Sequence, residues 1–527
     1  MMNDCFIRTG KPEFDELIPK VKSFLEQDLL ELEIDGQQIR GYRSPDTPSV
    51  WIRDYSDMLR GVRYFEEDLK STIEHFADTQ SANGRIFDYF TTFPEKLPCE
   101  KENWAKYVRV PVEADVEYRF IKAAFLSWQA HGDDNWIKSL LPNMDEAIGY
   151  ALNHPQRFDP VSQLVKRPYT IDTWDFAYTA GKHEWLQFQI DKNTFWGIFH
   201  GDISGYYEAL NILAYLAEYF GDPAKAGQYY TVAEMLKSKG NKICWNGSYY
   251  THFVKLNPCE IEGVDESRQL SMSNPMAINR GMTTLEQAQS ILKEFQDRKN
   301  QHKDIFAEWY SIDPPFPDGI FGDDKLLGGA YINGGIFPLT GGELAKAAFE
   351  NGFESYGVDI LKRYYQLICQ HNGSWLWYFP DGSPSTAEAS TSPEATSTDG
   401  WGSTAMLHAL ISGLAGIEDQ SKQFKNIRLA PRWLAADTMH AHVKLNYPSS
   451  SASFEYEYQF FPESINLEVK SLDSLTTIHL LLPRDALVTK VEINGEQVSY
   501  THEAIGESKY ANFTTHIINR TSIEVHF

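Results

Sequence analysis

Apolar residues recur every three or four positions over most of the chain, from about Pro48 to Gly416, and this spacing predicts α-helices. The helices come in pairs: VEADVEYRFIKAAFLSWQAHGD precedes WIKSLLPNMDEAIGYALNHP, and ISGYYEALNILAYLAEYFGD precedes PAKAGQYYTVAEMLKSKGNKICW. The breaks fall at Gly-Asp, Asn-Gly or Pro, which commonly end helices. About a dozen helices are predicted, joined by long loops rich in Trp, Asp, Gly and Tyr.

A dozen helices in successive hairpins fit a toroid of inner and outer helices, the (α/α)6 barrel. A superhelical repeat array is the competing arrangement. The chain has no fixed period and no shared repeat motif, which counts against that arrangement. We therefore predict a mainly α fold, with an (α/α)6 toroid over residues 46–420.

After the helices, the pattern changes to alternating apolar and polar residues, as in half-buried strands. Segments from HAHVKLNY to TSIEVHF follow it, and Asn494–Gly495 is a two-residue hairpin signal. They predict a C-terminal antiparallel β-sandwich over residues 421–527. Residues 1–45 are predicted to contain a helix near Phe14 to Gln27 and a hairpin around LELEIDGQQIRGY.

Composition and charge exclude some classes of binding partner. Of 527 residues, 42% are hydrophobic and 23% charged, which is typical of a folded globular protein. The formal net charge of −25 argues against nucleic acid or anionic membrane as partners, since both require basic surfaces. No apolar run is long enough to cross a bilayer. The N-terminus lacks a signal-peptide pattern, which predicts a cytoplasmic protein, or a periplasmic or secreted one if a leader was removed.

Motifs for metals and cofactors are missing from the sequence, so neither is expected. The five cysteines are scattered and predict free thiols. Asp323–Asp324 lacks the regular ligand spacing of a calcium loop, and no Gly-rich phosphate loop is present. His200–Gly201–Asp202 is predicted to begin a helix rather than to form a catalytic pair.

The stretch TIDTWDFAYTAG, residues 170–181, admits two interpretations. In one, Asp172 or Thr173 caps a helix that begins at Trp174. In the other, aromatic walls raise the pKa of a carboxylic acid in this stretch, so that it donates a proton near neutral pH. Aromatic residues make up 14% of the chain, and flat amphipathic rings suit stacking on sugar faces.

Several loops place acidic residues just before predicted helices, and in a helical toroid such loops share one mouth. Each acid alone is explained equally well as a helix cap or first-turn residue. Five loops that each also carry an aromatic or Gly-rich element indicate a binding site. The residues are Arg53 and Asp54 after Trp51, Glu113 and Asp115, Asp175, Tyr331 and Asn333 in a Gly-rich turn, and Glu388 and Glu394 ahead of Trp401.

The motifs VWIRDYSDML, PVEADVEYR, DTWDFA and YINGGIFP, then a Glu before DGWGSTAML, follow in the order found in six-hairpin glycosidases. Residues 48–415 resemble the superfamily of glucoamylases, trehalases, processing α-glucosidases and α-L-rhamnosidases. The C-terminal domain is similar to the one that ends α-L-rhamnosidases. The resemblance implies an exo-acting, inverting glycoside hydrolase for an α-linked oligosaccharide or small glycoside.

The resemblance also implies roles. Asp175 matches the general acid, and Glu388 matches the general base, with Glu394 as the alternative. Arg53 and Asp54 match residues that hold sugar hydroxyls. Asn333 and Gly334 match the Tyr-x-Asn-Gly turn before an inner helix. Apart from the resemblance, the loop positions make Glu113, Asp115 and Tyr331 candidate substrate-binding residues. The candidate stacking platforms are Trp51, Trp174, Trp377 and Trp401, of which at least two are expected to serve only as core residues.

Two other functions are the main alternatives, and an unsaturated-uronide hydrolase or a polysaccharide lyase on a similar helical toroid is a more remote one. A glycoside phosphorylase would use the same barrel and acid, with phosphate in place of the base and a basic pocket near the Glu388 loop. A non-catalytic carbohydrate-binding protein would keep the barrel and bind sugar without turnover.

Overall fold

A computed structural model describes residues 5–43, 49–92, 100–103, 107–109, 112–174, 176–178, 189–302, 304–390 and 395–527. The helices in this part of the chain are α1 (Pro12–Asp15), α2 (Leu17–Asp28), α3 (Ile52–Val62), α4 (Ser71–Asp78), α5 (Val116–His131), α6 (Asp134–Asn153), α7 (His200–Tyr219), α8 (Pro223–Cys244), α9 (Ser273–Asn279), α10 (Leu285–Gln301), α11 (Pro338–Glu350), α12 (Glu354–His371) and α13 (Gly400–His408). A π-helical turn, Ala409–Leu414, continues α13.

Six of these helices form a closed inner ring. Around it, α3 contacts α5, α5 contacts α7, α7 contacts α9, α9 contacts α11, α11 contacts α13, and α13 returns to α3. Outside the ring, α4 and α6 pack on α5, α8 on α7, α10 on α9, α12 on α11, and α2 on α13. This arrangement confirms the predicted (α/α)6 toroid.

Some of the inner helices are buried on all sides, which explains their composition. Every residue of α3 is buried, and so is all of α11 except its last residue, Glu350. Glycines allow close approach here: a Cβ added to Gly342 of α11 would lie 2.4 Å from the backbone carbon of Ala405 in α13. The outer helices instead have one buried face and recognisable caps. In α10, Thr284 and Gln287 form a capping box.

Short strands join the barrel helices. They are β1 (Phe6–Arg8), β2 (Leu29–Ile34), β3 (Gln37–Tyr42), β4 (Val50–Trp51), β5 (Tyr89–Phe90), β6 (Glu100–Asn103), β7 (Tyr107–Arg109), β8 (Phe158–Asp159), β9 (Leu164–Val165), β10 (Arg167–Pro168), β11 (Trp196–Ile198), β12 (Val254–Lys255), β13 (Leu270–Ser271) and β14 (Ile312–Asp313). The predicted N-terminal helix and hairpin correspond to α2 and β2–β3. Strand β1, by contrast, pairs with the C-terminal sheet.

The C-terminal strands are β15 (Ile417–Asp419), β16 (Asn426–Leu429), β17 (His440–Tyr447), β18 (Ala452–Phe461), β19 (Ser464–Leu481), β20 (Lys490–Ile493), β21 (Glu496–Gln497), β22 (Thr501–Ile505) and β23 (Ser508–His526). Together with β1 they form a ten-stranded sheet with the path β1-β17-β18-β19-β23-β20-β21, while β16 and β22 flank the other halves of β19 and β23. All pairs are antiparallel except β16–β19. The predicted β-domain is confirmed.

Alternation along these strands produces the β-domain core. Val443, Tyr456 and Val469 are adjacent in register on neighbouring strands, and all three are buried. Among the described cysteines, Cys5, Cys244, Cys259 and Cys369 are free thiols. In the described part of the chain, the helices are too short or too polar to cross a membrane.

Candidate active site

The first turns of the inner helices meet at one end of the barrel. A Cβ added to Gly402 of α13 would lie 2.7 Å from Pro338 at the start of α11, and one added to Gly201 of α7 would lie 2.7 Å from Ser273 of α9. Arg53 of α3 contacts Asp115, which immediately precedes α5. The loops that lead into these helices therefore share a mouth, as the toroid predicts.

Arg53 organises the acidic residues on one side of this mouth. Its Nε donates to Asp115 at 2.7 Å, and its Nη2 donates to the same carboxylate at 3.0 Å and also to Glu113. All three side chains are buried. Burial opposes ionisation, but Arg53, with help from Arg119, holds the pKa of Asp115 below its usual range. These predicted binding residues therefore form one preorganised, charge-assisted cluster.

The segment after Thr170 is not a helix start, so the capping interpretation is wrong. Asp172 has a positive φ of 47°, and its carboxylate accepts from the Thr173 N–H at 2.8 Å and from the Ser273 hydroxyl at 2.8 Å. The Asp172 N–H donates to Nε2 of His252 at 2.9 Å. Burial raises the pKa of Asp172. This carboxyl fastens the aromatic loop to the start of α9 instead of capping a helix of its own.

Asp175 lies outside the described residues, but the residues on both sides of it are described. The Trp174 carbonyl accepts from Arg167 at 2.5 Å. The Trp174 ring meets the Tyr331 ring edge-on at 4.7 Å, and Phe176 packs on Phe321. The flanks of Asp175 are therefore aromatic, as the sequence predicts.

Aromatic residues from three loops meet near this segment. Trp51 is half-buried and stacks on Tyr89, with ring centroids 4.0 Å apart, and this pair packs with Ala177. On the other side, the Tyr331 ring lies between Trp174 and Trp377, with its centroid 6.1 Å from that of Trp377. Trp51 and Trp174 retain exposed surface, whereas Trp377 is buried. The two half-buried rings are the better placed to stack on a ligand.

The Gly-rich turn is built around Asn333. Its side-chain oxygen accepts from the Phe316 N–H at 2.7 Å, and its amide donates to the carbonyls of Phe316 and Leu326. Gly334 has a φ of 101°, which favours glycine, and Tyr331 has a φ of 47°, which is unusual for a tyrosine. The Asn333 amide is thus committed to shaping the loop that presents Tyr331.

Glu388 lies on a short 3-10 turn, Ala387–Ala389, and is exposed. Its own backbone N–H and the Thr386 hydroxyl lower the pKa of its carboxyl. Lys325 reaches the same loop and donates to the Ser390 carbonyl at 3.3 Å. Glu394 lies outside the described residues, so the choice between the two glutamates as base stays a prediction.

A buried carboxylate below the mouth was missed by the sequence analysis. Asp57 of α3 accepts from Nε1 of Trp401 at 3.1 Å and from Arg119 at 2.5 Å. Burial disfavours charge at this position, but the surrounding cations, Arg119 first, hold the pKa of Asp57 well below its usual range. Trp401 is only 3% exposed, so this predicted binding residue is held from beneath by Asp57. The available signal was a charged residue within a helix that is buried on all sides.

Burial raises the pKa of two further carboxyl groups at the mouth. Burial, with a smaller contribution from the nearby Asp54, raises the pKa of Asp399 to about 7, although the N–H groups of Trp401 and Gly402 donate to it. Asp399 is the N-cap of α13, a signal present in the motif DGWGS. Burial also raises the pKa of Asp202 to about 6.

Two histidines lie near Asp202 and Asp172. Helix α7 begins at His200, as predicted. Burial lowers the pKa of both His200 and His252 to about 3, so both imidazoles are neutral in the working range of most proteins. Neither histidine adds positive charge to the mouth.

The comparisons with known proteins support the fold. The sequence matches no protein-family model and no characterised protein sequence. The structure is similar to the α-L-rhamnosidase from Dictyoglumus thermophilum (TM-score 0.62, 13% identity, 100% of this chain and 50% of that one). It is also similar to the Streptomyces avermitilis α-L-rhamnosidase complexed with L-rhamnose (TM-score 0.61, 12% identity, 99% of this chain and 42% of that one).

A third solved structure is similar over nearly its whole length. This is a GH63 mannosylglycerate hydrolase from Thermus thermophilus (TM-score 0.52, 12% identity, 75% of this chain and 99% of that one). The chain spans about half the length of the rhamnosidases it matches. At such identities the similarity establishes the fold, and it confirms the predicted six-hairpin barrel with an attached β-domain.

Proposed function

We propose that this protein is a glycoside hydrolase whose active site is the mouth of the barrel. One arrangement carries the proposal: half-buried Trp51 immediately precedes α3, whose Arg53 preorganises a cluster of buried acids, and half-buried Trp174 belongs to the loop whose Ala177 packs with Trp51. Aromatic faces with hydrogen-bond acceptors beside them are what a sugar ring needs for recognition. The similarity to solved structures named as glycoside hydrolases supports the same conclusion.

In the proposed mechanism, Asp175 is the general acid that protonates the leaving glycosidic oxygen. Its neighbours Trp174 and Phe176 are apolar, and such surroundings favour the protonated form of a carboxyl group. Glu388, whose lowered pKa favours the carboxylate, is the general base that takes a proton from water. Glu394 is the alternative base. Direct attack of that water on the anomeric carbon gives inversion.

The cluster around Arg53 has a separate role. Because the guanidinium is committed to Asp115 and Glu113, it holds these carboxylates in fixed positions, where they accept hydrogen bonds from sugar hydroxyls. Asp54 belongs to the same binding group. Trp51 and Trp174 stack on the sugar, and Asn333 and Gly334 act by shaping the turn that presents Tyr331.

Rhamnose and mannose are the first sugars to test. Two neighbouring structures are named as α-L-rhamnosidases and one as a mannosylglycerate hydrolase. We propose an α-linked small glycoside of one of these sugars, cleaved from its non-reducing end.

The test is a panel of p-nitrophenyl α- and β-glycosides of rhamnose, mannose and glucose, together with mannosylglycerate. Each substrate is incubated with wild type, Asp175→Asn, Glu388→Gln and Glu394→Gln. We expect turnover of one sugar and a loss of about 10²–10⁴-fold in Asp175→Asn and in one of the two glutamate variants. Glu496→Gln, exposed on the edge strand β21, is the matched control and should retain full activity.

The other functions give different results. Turnover that requires inorganic phosphate indicates a phosphorylase. In that case Lys325, which contacts the Glu388 loop, is a candidate to bind the phosphate. Sugar binding in calorimetry without turnover of any substrate indicates a carbohydrate-binding protein. Proton NMR of the first product distinguishes inversion from retention at the anomeric carbon. Full activity in Asp175→Asn overturns the assignment of the acid.

A further inference from the structure

One histidine and two glutamates meet near an edge of the β-domain, and in the sequence all three lie well after the residues of the barrel mouth. Glu492 on β20 lies directly opposite Glu524 on β23, and His526 follows on the same face of β23. Nε2 of His526 lies 3.2 Å from a carboxylate oxygen of Glu492 and 3.5 Å from one of Glu524. All three atoms lie within 4.8 Å of one another, and all three side chains are partly exposed.

We propose that these three side chains bind a divalent transition-metal ion of the Zn²⁺ type. Zinc binds imidazole nitrogen and carboxylate oxygen at about 2.0–2.2 Å, so two ligands of a tetrahedral site lie about 3.3–3.5 Å apart. The 3.5 Å distance from His526 to Glu524 lies in that range, and the 3.2 Å distance to Glu492 lies just below it. An imidazole with two carboxylates favours zinc over magnesium or calcium, which prefer ligand sets made only of oxygen. Water completes the coordination.

The strand pairing itself favours a cation here. Two carboxylates directly opposite each other on paired strands repel. Lys490 pairs with Glu492 at 2.8 Å and relieves part of that repulsion. On the far side of Glu524, Asn466 of β19 occupies the next register position, and its buried side-chain oxygen has no hydrogen-bond partner. An ion at this edge neutralises the carboxylates and gives the amide oxygen a water ligand to contact.

A second cluster of similar composition lacks these properties. His442 Nε2 lies 2.9 Å from Glu455, closer than two zinc ligands approach each other. The ammonium of Lys470 lies 2.7 Å from Glu455 and 3.9 Å from Glu457, between the two carboxylates. This cluster is satisfied as an ion-pair network, which makes it the matched control.

Binding at the first site has a defined proton balance. Before metal binds, a proton on Nε2 of His526 serves the hydrogen bond to Glu492. The metal ion takes the place of that proton: a neutral imidazole then carries its proton on Nδ1, whereas an imidazolium releases one proton to solvent. The ion then links β20 to β23, two strands otherwise joined by four residue pairs. The proposed role is structural and does not depend on the glycosidase proposal.

The test uses the full chain, stripped with EDTA and desalted, and titrated with ZnCl₂ in a calorimeter. We expect one zinc equivalent in wild type and in His442→Ala, and at least tenfold weaker binding in His526→Ala. Zinc should raise the Tm of wild type and of His442→Ala but not of His526→Ala. Glu524→Gln, which keeps its shape, should weaken binding in the same direction.

Two further measurements keep the result decisive. The Tm of His526→Ala in EDTA should lie near that of wild type, because the His526 side chain is partly exposed. This control shows that weaker zinc binding in the variant is not caused by unfolding. When Co²⁺ replaces Zn²⁺, wild type should show the visible absorption bands of a tetrahedral site, and His526→Ala should not. Absence of zinc binding in wild type, undiminished binding in His526→Ala, or loss of binding in His442→Ala overturns the proposal.

Discussion

Replacing Asp399 by asparagine tests whether burial keeps this N-cap protonated. The folded pKa of Asp399 is about 7, against 3.8 for an ordinary aspartate. Between these values the folded protein holds a proton that the unfolded chain has lost. The contribution of Asp399 to stability therefore falls as the pH rises from about 4 to about 7, and it is constant above that range.

The size of the effect follows from the shift. A displacement of about three pKa units corresponds to about 4 kcal/mol, of which about 3 kcal/mol falls between pH 5 and pH 8. Asparagine is neutral throughout, so the variant lacks this pH dependence. Its single oxygen can accept from Trp401 or from Gly402 but not both, which costs about 1 kcal/mol at every pH. Relative to wild type, the free energy of unfolding of Asp399→Asn should thus rise by about 3 kcal/mol between pH 5 and pH 8.

The assay is urea unfolding of both proteins, followed by circular dichroism at pH 5, 6, 7 and 8. Only the difference between variant and wild type is used, because other groups, such as Asp202 and His200, also titrate differently in the folded state. Asp133→Asn, at the exposed N-cap of α6, is the control. Lys70 lowers the pKa of Asp133, so its carboxyl is ionised from pH 5 to pH 8 and its difference should not change with pH.

This reasoning would be refuted if the difference in free energy of unfolding between Asp399→Asn and wild type were the same at every pH. That result would mean that Asp399 is ionised across the range, and that the two backbone N–H groups of α13 outweigh its burial. A difference that grows as the pH falls would have the wrong sign and would refute it as well.

Three further predictions concern stability and use thermal and urea unfolding. Arg53→Ala should cost about 3–5 kcal/mol, because it leaves the buried carboxylate of Asp115 without its main partner; a loss below 1 kcal/mol would contradict the described pairing. Gly342→Ala should cost about 1–3 kcal/mol through overpacking, whereas Gly227→Ala, in open space on α8, should be neutral or stabilising by up to about 1 kcal/mol. Thr284→Ala should cost about 1 kcal/mol by removing the cap of α10, and Thr284→Ser should restore most of it.

Local patterns were sufficient for the class of fold. The spacing of apolar residues predicted the helix pairs, and alternation predicted the C-terminal strands, because these periodicities report which face of an element is buried. The helix α2 and the hairpin β2–β3 follow from the same rule. What the pattern did not predict is that Phe6–Arg8 joins the C-terminal sheet, since that pairing spans more than 400 positions.

The candidate site was predicted in part. Motif order predicted one shared mouth for Arg53 and Asp115, and the structure pairs these two side chains, while their role in binding stays a prediction. Of the two interpretations of the stretch after Thr170, the one in which Asp172 caps a helix is wrong; the sequence admitted it because a short polar residue before Thr and Trp fits a cap equally well. The actual partner of Asp172, Ser273, is 101 positions away and carries no local signal.

For this protein, the elements, their order and the kinds of residue at the barrel mouth could be predicted from the sequence. These are local properties, fixed by spacing along the chain. The long-range contacts between side chains appear in the fold alone: Trp401 meets Asp57, 344 positions away, and Glu492 lies opposite Glu524 on the neighbouring strand. Closure of a ring and register of a sheet set these contacts, and with them which carboxyl groups are neutral, because burial and partner distance control the pKa.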